Sequence, residues 1–249
     1  RCVVMKTAQT SQPTALTGQV VVVTGGARRV GQAICEALWA SGAHVVIHHH
    51  ASQKAAQDLP DRLGSRATIA RADLRDREQT KAMFADLANR LGRIDGLVCS
   101  AAIFGRTPLQ TMTDDEWDDM LAVNLTAPRR CMQQAIAHGA QAIVNIVDVA
   151  AIAPWRGYAA YGVAKAGLLQ LTKIAAKELL GSVRVNAVAP GLVLLPDDVS
   201  EEERARLLRK LPHGPMGSPH DVARAVQYLL TEPFVTGVCL PIDGGQSLG

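Results

Sequence analysis

From Gln19 onward, short runs of β-branched apolar residues alternate with longer segments in which apolar residues recur every three or four positions. Val20 to Thr24 is followed by a helical pattern over 30–41, and that by a second apolar run over 44–48. The rhythm continues with runs at 67–70, 94–99, 142–147, 183–188 and 237–240. Strands that are apolar on both faces and separated by helices predict a parallel sheet covered on both sides. The expected architecture is therefore a single-domain, Rossmann-type doubly wound α/β fold over 16–249. Residues 1–15, polar and interrupted by Pro13, are expected to be a flexible leader. The long stretch 191–217 carries a charged helical piece beginning at Ser200 and reads as a lid or binding loop, with a plain surface excursion as the alternative.

Composition changes this picture little. With 48% hydrophobic and 20% charged residues over 249 positions, the chain can bury a full core, which excludes disorder. A net charge of +3, scattered along the sequence, gives no basic stripe, so no nucleic-acid partner is expected. No run approaches the roughly 18 apolar residues of a membrane span. The five cysteines are odd in number and form no C-x-x-C pair, which fits a reduced, cytoplasmic compartment.

Candidate chemistry begins where the first strand ends, in Thr24-Gly25-Gly26-Ala27-Arg28-Arg29-Val30-Gly31. A glycine turn opening into a helix brings backbone N–H groups and the helix dipole to a pyrophosphate. Arg29 stands where a middle glycine of the dinucleotide pattern is expected. The second strand ends His48-His49-His50-Ala51-Ser52, without the carboxylate that holds an unphosphorylated ribose. With Arg28, Arg29 and Ser52 close by, the charge favours NADP(H) over NAD(H); the alternative is two solvated surface arginines. The histidine run has no carboxylate or cysteine to complete a metal site, so no metal is expected. Asp73 is placed either to bond the adenine amine or to cap the following helix.

Further on, Gly157-Tyr158-Ala159-Ala160-Tyr161-Gly162-Val163-Ala164-Lys165 puts Tyr161 and Lys165 four residues apart on one helix face. A cation beside the phenol is expected to lower its pKa and let Tyr161 exchange a proton near neutrality. These segments, with Asn124, Asn186, Pro190-Gly191 and Ile242-Asp243-Gly244-Gly245, resemble the classical short-chain dehydrogenase/reductase family. The resemblance implies Tyr161 as proton donor, Lys165 as its ribose-binding partner and Asn124 as holder of a relay water. It also implies a cofactor cradle of Gly25, Arg28, Arg29, Val30, Gly31, His49, Ser52, Asp73, Ser100, Ala101, Lys165, Pro190 and Gly191, and a homotetramer.

Three positions depart from the family pattern: Arg29, the Cys99-Ser100-Ala101-Ala102 stretch, and Asp148, which replaces a serine thirteen residues before Tyr161. A serine hydroxyl donates to an oxygen that becomes negative, whereas a carboxylate repels it. Asp148 therefore suits a substrate with N–H donors or a C=N bond; the alternative is a helix cap, with Tyr161 acting alone. Arg29, Asp148 and the Gly-Tyr-x-x-Tyr-x-x-x-Lys run together are similar to the pteridine reductase branch. That likeness implies substrate contacts from Arg29, Phe104, Asp148 and Tyr161, with Phe104 stacked on the ring; the alternative for Phe104 is a core residue beneath its loop. The expected activity is NADPH-dependent reduction of a dihydropterin or dihydrofolate-like ring. A carbonyl or 3-oxoacyl thioester reductase of the same family is the alternative, and a non-catalytic NADP-binding sensor the competing class.

Overall fold

The computed structural model describes residues 16–195, 199–209, 211–212 and 214–248. The expected leader over 1–15 lies outside the described residues. Seven parallel strands form one sheet: β1 (Val20–Thr24), β2 (His44–His49), β3 (Ala67–Arg71), β4 (Gly96–Cys99), β5 (Ala142–Ile146), β6 (Arg184–Pro190) and β7 (Cys239–Ile242), in the order β3-β2-β1-β4-β5-β6-β7. The expected doubly wound architecture is what forms. Every apolar run became a strand, because residues such as Val22, Val46, Leu97, Val144 and Val185 are buried on both sheet faces.

One face is covered by α1 (Arg29–Ala40), α2 (Gln53–Leu63) and α8 (Pro219–Thr231), whose Ile34, Leu38, Leu59, Val226 and Leu229 meet Val21, Val23 and Ile47. The other is covered by α3 (Arg77–Leu91), α5 (Ala127–Ala137) and α6 (Ala159–Glu178), which bring Phe84, Leu87, Cys131 and Ala175 onto Val22, Leu97 and Val185. Cys35, Cys99 and Cys131 are small core residues whose burial pushes their thiols up, so they are inert packing. The short α4 (Asp114–Leu121) leads into α5, and α7 (Glu201–Leu208) lies in the long connection after β6.

The strand order reverses between β1 and β4, where Thr24 pairs with Cys99. In such sheets the crevice opens at the carboxyl ends of the strands on either side of the reversal. Both candidate segments reach that edge.

Candidate active site

The glycine turn owes its shape to missing side chains. A Cβ on Gly31 would lie 2.1 Å from the Gly25 carbonyl oxygen, and one on Gly25 would lie 2.8 Å from the Ala101 Cα. The turn therefore packs backbone against backbone, leaving the N-terminus of α1 open to the crevice. No acidic residue occupies the first turn of α1, and Arg28 caps it without a side-chain bond. Arg29 has φ +55°, a left-handed conformation that costs a non-glycine residue about 1 kcal/mol. The missing middle glycine is thus a sequence departure only, since the backbone keeps the shape a glycine would take. The Arg29 guanidinium donates to the Leu195 carbonyl at 3.3 Å, tying the cofactor turn to the loop after β6.

Thr24 and His48, both buried, brace this turn, and neither was among the candidate contacts. Thr24 Oγ1 accepts the N–H groups of Ser100 and Ala101 at 3.0 and 3.1 Å, locking the ends of β1 and β4 together. His48 Nδ1 accepts the Gly25 N–H at 3.2 Å, while its Nε2 lies 3.1 Å from the Ala72 carbonyl, which fixes the proton on Nε2. Burial pushes His48 down to about 4, so the imidazole stays neutral and the acceptor persists throughout the neutral range. No local sequence signal marks His48 for this role, which depends on β2 lying beside the β1 turn. Replacing His48 with leucine strands the Gly25 N–H and is expected to weaken NADPH binding about tenfold in a fluorescence titration. An unchanged affinity would show that the turn holds its shape without the imidazole.

His49 is buried, its Nδ1 without a hydrogen-bond partner among the described residues; the histidine that touches the glycine turn is His48. Asp73 makes a local Asx turn: its carboxylate accepts the Arg75 N–H at 3.0 Å and pairs with the Arg75 guanidinium at 2.8 Å. The cap of α3 is Asp76, not Asp73. Ser52 stands at the N-cap of α2 without a side-chain bond. Pro190 ends β6, and Gly191 packs so closely on the Asp243 turn that a Cβ would lie 2.8 Å from the Asp243 Cα. Among the described residues no three histidine, cysteine, aspartate or glutamate side chains converge so that they could hold a metal ion.

The catalytic candidates meet at the start of α6. Tyr161 donates its hydroxyl to Asp148 Oδ2 at 2.9 Å, and Asp148 Oδ1 accepts the Ala150 N–H at 2.8 Å. Asp148 thus caps the short turn Val149–Ala151 and also holds the phenol, so the two readings of it are not exclusive. Burial raises the Asp148 pKa, against the pull of Ala150, Tyr161 and Lys165. The expected lowering of the phenol pKa is not found: burial first, then the Asp148 charge, raises it. Lys165 explains why it does not offset them. Its ammonium donates to the Ile146 carbonyl at 2.9 Å, reaches the face of the Tyr161 ring at 5.7 Å, and is itself pushed down to about 8 by burial. The Tyr161 phenol pKa is thus held above its ordinary value, with the hydroxyl donated to Asp148.

Asn124 lies in a single π-helical turn, Ala122–Thr126, between α4 and α5. The extra residue of such a turn re-aims a side chain, and these turns cluster at functional sites. The Asn124 amide donates to the Ile103 carbonyl at 3.0 Å, and its Oδ1 is buried without a partner among the described residues. Phe104, on the same loop as Ile103, is 56% exposed and not a core residue. It stacks on Tyr158 at 5.1 Å between centroids and stands edge-on to Tyr161 at 5.0 Å. Trp155 closes this wall against Tyr158 at 5.8 Å. The crevice therefore presents a phenol hydroxyl, a carboxylate and an aromatic face.

The cradle left by Gly25 and Gly31, the open α1 terminus and Lys165 fit a nicotinamide dinucleotide. Comparison with known proteins agrees. Residues 25–247 match a family model described as enoyl-(acyl carrier protein) reductase. The chain is 34% identical over 245 residues to a 3-oxoacyl-[acyl-carrier-protein] reductase of Synechocystis, covering 94% of this chain and 98% of that protein. It is 33% identical to 3beta-hydroxysteroid dehydrogenase 1 of Eggerthella lenta, covering 94% and 95%. Among solved structures, a dehydrogenase/reductase from Sinorhizobium meliloti superposes with a TM-score of 0.88 at 34% identity, covering 94% and 97%.

Proposed function

The chain belongs to the classical short-chain dehydrogenase/reductase family, and from that premise we propose that it is an NADPH-dependent reductase of a dihydropterin or dihydrofolate-like ring. It is an oxidoreductase with a nicotinamide cofactor; the phosphorylated form and the substrate ring are our reading. The observation that carries it is the Asp148 carboxylate 2.9 Å from the Tyr161 hydroxyl, where the family's serine would donate.

Gly25, Gly31 and the open α1 terminus would hold the pyrophosphate, with Arg29 bridging it to the substrate; Arg28 and Ser52 would hold the 2′-phosphate, and Lys165 the nicotinamide ribose. Val30, His49, Ser100, Ala101, Pro190 and Gly191 would line the remainder, with Asp73 beside the adenine. When bound, reduced nicotinamide supplies a hydride. The chain's own part is protonation: Tyr161 gives its proton to the C=N nitrogen as the neighbouring carbon is reduced, leaving CH–NH. Asp148 accepts a ring N–H and orients the phenol, Arg29 reaches the substrate from the turn, and Phe104 stacks on the ring. The unpartnered Oδ1 of Asn124 suits a relay water that restores the phenol proton.

The relatives' names favour a second reading, a carbonyl or 3-oxoacyl thioester reductase, more directly than the first. The test is NADPH oxidation with dihydrobiopterin, dihydrofolate and a panel of ketones and 3-oxoacyl thioesters. Pterin turnover should exceed ketone turnover by about 100-fold, the scale of one well-placed oxyanion donor, and Asp148→Ser should raise ketone turnover by a similar factor. Ketone or thioester turnover without pterin activity would overturn the first reading in favour of the second. We further propose a cytoplasmic homotetramer acting on a small molecule, without nucleic-acid or membrane partners; among the described residues no helix is long and apolar enough to cross a membrane.

A further inference from the structure

One strong cation beside the crevice has no part in the chemistry above. Arg106 is exposed, and its guanidinium lies over the Tyr158 ring at 5.8 Å. No carboxylate pairs with it among the described residues. Its place is nonetheless fixed. The next residue, Thr107, is buried and clasped to the start of α6: its N–H donates to the Gly157 carbonyl at 2.9 Å, its carbonyl accepts the Ala159 N–H at 3.1 Å, and its hydroxyl accepts the Ala160 N–H at 3.2 Å. Gly157 makes the room, because a Cβ there would lie 3.2 Å from Arg106 Nη2. Its φ of +85° is one that only glycine adopts without strain.

The rings form a sequence leading outward from the reacting group. Tyr161 touches Phe104, Phe104 stacks on Tyr158, and Tyr158 carries Arg106. For a substrate ring seated against Phe104 and Tyr161, a tail that runs along this wall would reach Arg106. Arg156, exposed two residues before Tyr158, adds a second positive charge to the same turn. A guanidinium held on an aromatic face keeps its donor fork free and loses little freedom on binding a carboxylate or phosphate.

We propose that Arg106 is a specificity-determining residue that binds a negatively charged group, carboxylate or phosphate, on the tail of the substrate. The inference rests on the proposed site but not on the ring chemistry, because an anionic tail can accompany either a pterin or a thioester.

The test compares substrates within one chemical class. Dihydrofolate carries glutamate carboxylates and dihydrobiopterin an uncharged tail; acetoacetyl-coenzyme A carries phosphates and acetoacetyl-N-acetylcysteamine none. In whichever class turns over, the protein should prefer the anionic member by kcat/KM. Arg106→Leu should cut that preference about tenfold, through KM rather than kcat, and Arg106→Lys should recover part of it. The preference should also fall with added salt. Failure of both pterins sinks the pterin reading alone, since the thioester pair still reports on Arg106. Calorimetric titration of the same compounds into the NADP⁺-bound protein, which cannot reduce them, makes the comparison independently of turnover. The proposal is overturned if Arg106→Leu leaves the anionic preference unchanged, or if it weakens both members of a pair equally, which would mark a purely structural role.

Discussion

Tyr161→Phe is expected to lower kcat by roughly 10²–10⁴-fold with little change in NADPH affinity, the loss typical of a positioned general acid. The phenol is the proposed proton donor, and burial together with Asp148 raises its pKa. The variant also leaves Asp148 Oδ2 without its donor, at a cost of about 1–3 kcal/mol for a buried polar group. Loss of the hydroxyl removes one influence that lowers the Asp148 pKa, so that pKa rises further. A carboxyl whose pKa is raised in the folded state contributes its stability at low pH and loses it as pH rises through the folded value. The stability deficit of Tyr161→Phe should therefore shrink on acidification, measured by urea denaturation at several pH values. A variant with near wild-type kcat would remove Tyr161 from the chemistry.

Gly31→Ala has the second-largest expected effect, and it falls on the cofactor. The added methyl would stand 2.1 Å from the Gly25 carbonyl oxygen, far inside van der Waals contact, and the atom it meets is backbone. Either α1 moves away from the sheet or the turn opens. Overpacking of this kind costs about 1–3 kcal/mol, and the displaced turn should weaken NADPH binding by at least about tenfold. The two losses are separable by denaturation of the protein alone and by cofactor titration. Unaltered NADPH affinity would mean that the pyrophosphate does not lie on this turn.

Much of the site was legible because it is local. The Tyr161–Lys165 spacing, the glycine turn and the absent carboxylate after β2 each lie within a few consecutive residues, and secondary structure alone puts them on one helix face or one turn. Other parts needed elements distant in sequence to meet. His48 bonds Gly25 from 23 residues away, and Thr24 bonds Ser100 from 76. Nothing local distinguishes His48 from His49; the pleat of β2 and the neighbouring β1 turn decide which one becomes the brace. The direction of the Tyr161 pKa was misjudged for the same reason. Spacing put a cation near the phenol, but burial and a carboxylate from another segment outweighed it. Phe104 was open between core and wall, and only its 56% exposure against Tyr158 and Tyr161 decided it.

The sequence by itself determined the doubly wound sheet, the place of the crevice and the candidate proton donor. Apolar periodicity and turn chemistry are short-range properties that the chain carries wherever it folds. The tertiary structure decided the direction in which the Tyr161 pKa moves, the braces beneath the glycine turn and the aromatic wall that ends at Arg106. Those depend on burial and on contacts between distant segments, which exist only once the sheet has closed around them.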